Sequence, residues 1–199
     1  MRTKVGCVCS TFSHSLTYDQ RMTVTNQWNS FVELHPDLRS PELCEIAVSK
    51  SGGLLEFVPY HHRTPGICML AVSQYPEALK YVPYELRNTE ICLAAIRRYA
   101  YVFQHVPDSV KTPEFCLSAV NHDVHITNIP ISSQTSEVCL NAVMKDPWQV
   151  KYMFPDQQTP EVCLAAVRQN GWVLPYIWNP SPQICLAAVL NDPKVLKYV

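Results

Sequence analysis

Hydrophobic residues return along this chain on a fixed period. Around Cys44, Cys68, Cys92, Cys116, Cys139, Cys163 and Cys185, separated by 24, 24, 24, 23, 24 and 22 residues, one pattern recurs. An apolar residue precedes the cysteine, alanine follows three positions later and valine or isoleucine four positions later. Those positions share one face of an α-helix. The alanine is the same in all seven copies (Ala47, Ala71, Ala95, Ala119, Ala142, Ala166, Ala188), which suits a place where a neighbouring backbone comes close. Ser40, Thr64, Thr112, Thr159 and Ser181 each precede a proline and read as N-caps with proline at the first helical position. Glu42, Glu114 and Glu161 sit in the first turn, where the helix dipole favours an anion.

A second, shorter apolar pattern follows each of these helices. Counted from the cysteine, positions +10, +11 and +14 are mostly apolar (Leu54, Leu55, Val58; Val102, Phe103, Val106), and +12 is mostly polar (Glu56, Lys80, Gln104, Lys151, Lys197). The pattern predicts a second helix with one buried face, ended in most units by a proline such as Pro59, Pro83, Pro107 or Pro130. The whole is an all-α solenoid of tandem helix-turn-helix repeats of about 24 residues. Residues 1–14 read as an N-terminal tail and 15–199 as one solenoid, with 15–38 a degenerate capping repeat and 39–199 seven repeats. In the degenerate unit Gln20 stands where the cysteine belongs. The fourth unit is one residue short, and Pro175 is expected to interrupt the second helix of the sixth.

Composition narrows the picture only a little. With 47% hydrophobic and 17% charged residues the chain can bury a core, and a net charge of −1 gives no general attraction to nucleic acid or an anionic membrane. The start, MRTKVGCVCSTFSH, lacks the apolar region of a secretory leader, and no run of eighteen apolar residues occurs. Nine cysteines, an odd number with seven in one phase of the repeat, argue for reduced, buried thiols in a cytoplasmic compartment.

The strings LKYVPYELRNTEICLAAI and TPEVCLAAVRQNGWVL resemble the tandem helical repeats common in giant viruses of amoebae, catalogued as domain of unknown function 4116. The resemblance covers roughly residues 38–199. It implies a helical repeat protein of viral type, located in the host cytoplasm or the virion. It brings no established activity and no family catalytic residues.

Candidate chemistry is sparse. Equivalent positions of stacked helices lie about 8–10 Å apart, too far for cysteines to share a zinc ion or form disulfides. They read as buried spacers, and no metal or other cofactor is expected. Cys7, Cys9 and His14 precede the array and form a weak ligand set. No nucleophile elbow, zincin motif or phosphate-binding loop occurs, so no catalytic residue is assigned. His122, Asp123 and His125 form the densest polar cluster and read as a surface turn. Arg39, Arg63, Arg87 and Lys111 make a basic ladder along one edge, able to meet phosphates or an acidic partner. Glu42, Glu90 and Glu114, three residues on, are their expected intramolecular partners.

Position +9 carries Gly53, Glu77, Tyr101, His125, Trp148, Trp172 and Lys194, and is expected near the wet side of the second helix. Its middle is aromatic, with Tyr152 and Tyr176 beside it, so Tyr101, Trp148, Trp172, Tyr152 and Tyr176 are the candidate partner-binding residues. Val195, Leu196 and Val199 are expected to lack a covering unit and so to serve self-association. The functional expectation is a non-enzymatic protein-interaction or structural scaffold, with a protein partner, self-association through the last repeat and no membrane. The alternatives are a nucleic-acid binder using the ladder and an enzyme with a site near residues 122–125.

Overall fold

The computed structural model describes residues 28–199, and all its regular structure there is helical. The eight α-helices are α1 (Trp28–Glu33), α2 (Pro41–Lys50), α3 (Pro65–Gln74), α4 (Thr89–Ile96), α5 (Pro113–Asn121), α6 (Ser136–Lys145), α7 (Pro160–Gln169) and α8 (Pro182–Asn191). From α2 onward each helix packs on the next, and the solenoid forms as the pattern predicts. Cys7, Cys9 and His14, and most of the degenerate first unit, lie outside the described residues. Of that unit, helix α1 and the turn Pro36–Leu38 are described.

The α-helices begin where the caps foretell. The side chains of Ser40, Thr64, Thr112, Thr159 and Ser181, with Asn88 and Thr135, each accept a hydrogen bond from the backbone N–H three residues on. This satisfies one of the donors that a helix start leaves free. The predicted face is buried: Leu43, Cys44, Ala47 and Val48 in α2, and Ile91, Cys92, Ala95 and Ile96 in α4.

The second element of each unit differs from a plain short helix. It is a 3₁₀-helix, as in Gly52–Phe57, Pro76–Tyr81, Ala100–His105, Pro147–Tyr152, Gly171–Tyr176 and Pro193–Tyr198. Its six residues rise about 12 Å where an α-helix would rise about 9 Å, so the tighter coil reaches further along the α-helix beside it. Proline sets the end. Val58, Val82, Val106 and Ile129 precede prolines and take extended ψ of 128°, 132°, 130° and 130°, as the proline ring demands. A three-residue 3₁₀ turn such as Tyr60–His62, Tyr84–Leu86 or Asp108–Val110 then leads into the next cap. Pro175 does not interrupt its unit. The 3₁₀-helix Gly171–Tyr176 runs through it, because proline withholds only its own N–H and the φ it imposes suits that coil.

At two repeats the carbonyl of the recurring alanine comes close against the second element of the repeat before. A Cβ built on Gly171 would lie 2.6 Å from the Ala188 carbonyl oxygen of the next repeat, and one on Gly52 would collide likewise with that of Ala71. In these two units it is glycine, at 52 and 171, that permits the approach.

The short fourth unit has its own repair. Asp123 turns into the left-handed region (φ 66°), and the second element shrinks to Ile126–Asn128. Gln149, in a position that is apolar in the other repeats, is buried and accepts from the Ile126 N–H (2.8 Å) while donating to the Ala142 carbonyl (3.3 Å). A polar residue thus enters the core because the missing residue leaves a backbone donor without a partner.

Candidate interaction surface

The seven repeat cysteines pack as part of the helical stack. Cys44, Cys68, Cys92, Cys116, Cys139 and Cys163 are buried as free thiols and Cys185 is half-buried. In six of the seven repeats the thiol donates to the carbonyl five residues earlier, from Cys163 to Gln158 (3.4 Å) and Cys44 to Arg39 (3.5 Å) out to Cys185 to Pro180 (4.0 Å). A cysteine suits that place because it is small and apolar yet carries a weak donor. Burial pushes Cys44, Cys68, Cys92, Cys139 and Cys163 up to about 11, and Cys116 upward too, so at neutral pH they are protonated and poor nucleophiles. Among the described residues no group of three His, Cys, Asp or Glu side chains converges as a metal site would require.

The basic ladder turns inward. Arg63 donates from Nε to the Val58 carbonyl (2.9 Å), from Nη2 to that of Glu56 (3.1 Å), and from Nη1 to that of Tyr81 in the next repeat (2.6 Å). Arg87 repeats this with Val82, Lys80 and His105 at 2.9, 3.0 and 3.0 Å. Arg39, only 8% exposed, donates to Val32 and Phe57 and lies over the Phe31 ring. The guanidinium therefore clasps the carbonyl ends of two successive second elements, where the helix dipole welcomes a cation. Gln158 stands in the same phase and does the same, reaching Val150, Met153 and, 18 residues on, Tyr176. Gln134 closes its own unit on Ile126 and Ile129. Lys111 pairs with Asp108 (2.8 Å) and lies 5.3 Å from the Phe103 ring centre. The expected pairing with glutamates gives way to main-chain carbonyls at Arg87 and to Asp108 at Lys111, because a guanidinium can satisfy several orphan acceptors at once.

His122, Asp123 and His125 do not assemble with one another. Asp123 pairs with Lys145 (3.2 Å), and His125 Nδ1 meets the Thr127 hydroxyl (2.9 Å). Burial lowers the pKa of His125.

The aromatic row is built by neighbouring repeats. The +9 ring of one unit meets the +13 tyrosine of the next edge to face: His125 with Tyr152 (centres 4.9 Å apart, planes at 76°), Trp148 with Tyr176 (5.9 Å, 68°) and Trp172 with Tyr198 (6.2 Å, 74°). Lysines lie on the rings, Lys151 Nζ 4.6 Å from the centre of Tyr152 and Lys197 Nζ 4.8 Å from that of Tyr198. Tyr101, Trp148, Tyr152 and Tyr176 are exposed, Tyr101 at 67%. Trp172 is half-buried, and its indole N–H donates to Asp192 (2.7 Å). The expected self-association residues separate: Val195 is buried, because +10 faces its own repeat, whereas Leu196 and Val199 are 62% and 66% exposed. Their equivalents Leu55 and Val58 are buried by the following unit. Pairing of rings across repeats is absent from a one-repeat view of the sequence, although the offsets +9 and +13 carry it.

Residues 40–87 and 64–111 match the family model of a domain of unknown function (DUF4116), each match covering two of these units. Residues 40–111 thus carry two overlapping DUF4116 matches. The two matches are offset by one period and overlap over one repeat. No curated protein and no solved structure matches the chain. No helix among the described residues is long and apolar enough to cross a membrane.

Proposed function

We propose that the protein is a non-enzymatic scaffold that binds another protein along its strip of rings. The observation that carries this reading is the run of exposed Tyr101, Trp148, Tyr152 and Tyr176 on short 3₁₀-helices, with Trp148 and Tyr176 held edge to face across a repeat boundary. Rings fixed in this way lose little freedom on binding, and tyrosine and tryptophan dominate interface energetics. The ladder supports the same choice over a nucleic-acid partner, since its guanidinium donors are engaged on carbonyls. The test is affinity purification from the native source with the natural protein and with Trp148→Ala. Loss of the co-purifying protein from the variant is expected, with retention in raised salt. An unchanged set of partners would discard the strip, and capture of nucleic acid that is lost steeply with salt would favour the ladder.

Self-association is a second reading, favoured by the exposure of Leu186, Leu190, Leu196 and Val199 on the last repeat. Sedimentation of the natural protein against Leu190→Lys separates a dimer from a monomer. A sedimentation profile that Leu190→Lys leaves unchanged removes this reading.

A further inference from the structure

The ring pairs stop short of the N-terminal repeats, where the partner tyrosine is present and its ring is missing. Tyr81 occupies the +13 position that Tyr152, Tyr176 and Tyr198 hold later, but the +9 residue facing it is Gly53. Gly53 and Tyr81 both line a cavity of about 540 Å³, walled also by Phe57, Tyr75 and Glu56 and rimmed by Lys50. That volume falls in the range of small-ligand sites. In later repeats the same place is filled from within the chain, by the rings of His125, Trp148 and Trp172.

We propose that this cavity is a binding slot for an aromatic side chain, an indole or phenol presented by a partner protein, which completes the ring pair that Gly53 leaves open. The inference deepens the scaffold reading, since it assigns the partner's chemistry at the near end of the same strip. The occupant's chemistry follows from the repeat itself. Tyr81 offers the contact that its equivalents offer Trp148 and Trp172, and Tyr75, whose ring would lie 3.7 Å from a Cβ on Gly53, forms a second wall. Lys80 Nζ lies 4.7 Å from the Tyr81 ring centre, so that ring already has its cation, and Lys50 at the rim further disfavours a positive ligand. Glu56 is among the lining residues, and the place of Asp192, which receives the Trp172 N–H in the last repeats, is held here by Tyr75.

The test is a titration of isotope-labelled full chain with N-acetyl-L-tryptophanamide, read by amide chemical shifts, with N-acetyl-L-leucinamide as control. Saturable shifts at Ser51, Gly53, Leu54, Tyr75 and Tyr81 are expected with the first probe and not the second. Gly53→Trp places the chain's own ring in the slot. Gly53 has no positive φ and room for a Cβ, so the variant should fold and lose the response. Tyr81→Ala should weaken the probe about tenfold, the scale of one aromatic pair, and decides the matter should Gly53→Trp not fold. Equal responses to both probes, no response at all, or a response that survives both substitutions would overturn the slot. Trp148→Ala should leave this titration unchanged, so a failed slot and a failed strip are told apart.

Discussion

The repeat cysteines stand among apolar neighbours, six of the seven with a carbonyl to donate to, and that setting has a consequence for pH. Its pKa rises from 9.0 to about 11 in Cys44, Cys68, Cys92, Cys139 and Cys163, because burial disfavours the thiolate. Between those values the unfolded chain has lost protons that the folded chain keeps. The contribution of these thiols to stability is therefore complete below pH 9 and drains away as pH climbs toward 11. The urea midpoint should hold steady through neutral pH and then fall across that window. Cys92→Ala with Cys163→Ala should flatten part of the fall, and a double variant with the natural slope would show that other groups cause it. The identity of these residues as buried spacers was legible from their phase alone. The bond to the carbonyl five residues earlier was not, because it depends on how the chain turns into the cap.

At the scale of the element, the ladder residue joins one second helix to the next, and its value lies in the carbonyls it satisfies. Arg87→Ala strips hydrogen bonds from Val82, Lys80 and His105 and should cost about 1.5–3 kcal/mol, the range for bonds to a charged donor. Arg87→Gln should recover a good part, because Gln158 performs the same task in its own repeat. Equal losses in both variants, measured by denaturant unfolding, would remove the clasp as the explanation. The spacing of the ladder was visible in the sequence, but its direction was not. Arginine at a solvent edge and arginine folded onto carbonyls leave the same period. The 3₁₀ character of the second elements was hidden for a similar reason, since six residues bounded by proline fit either coil and only the length of the neighbouring helix chooses. The rings at +9 and +13 were each identified, and their pairing required the offset between repeats, a distance no single unit contains.

For the whole molecule, the clasp reaches 18 residues forward from Arg39, Arg63 and Arg87 alike. Excision of residues 64–87 would join Arg63 to Asn88 and bring the His105 carbonyl to the place that Tyr81 held. The shortened chain should fold with one repeat fewer, keeping a helical circular dichroism spectrum and a cooperative melt. Excision of residues 64–75 alone breaks the register and should not fold. Should both shortened chains behave alike, the repeats are not interchangeable units. Stability in such arrays accumulates from neighbouring interfaces, so the loss should be graded.

Self-similarity carries a hazard of its own, because a helix can dock beside the wrong copy of its neighbour. The buried amide oxygen of Gln149 accepts from the Ile126 N–H, a donor that the one-residue-short unit leaves open at this point of the array. Any slipped arrangement would leave both groups dry and unmatched. An apparent flaw thereby works as an index mark, giving an otherwise monotonous polymer one address from which every other unit is counted.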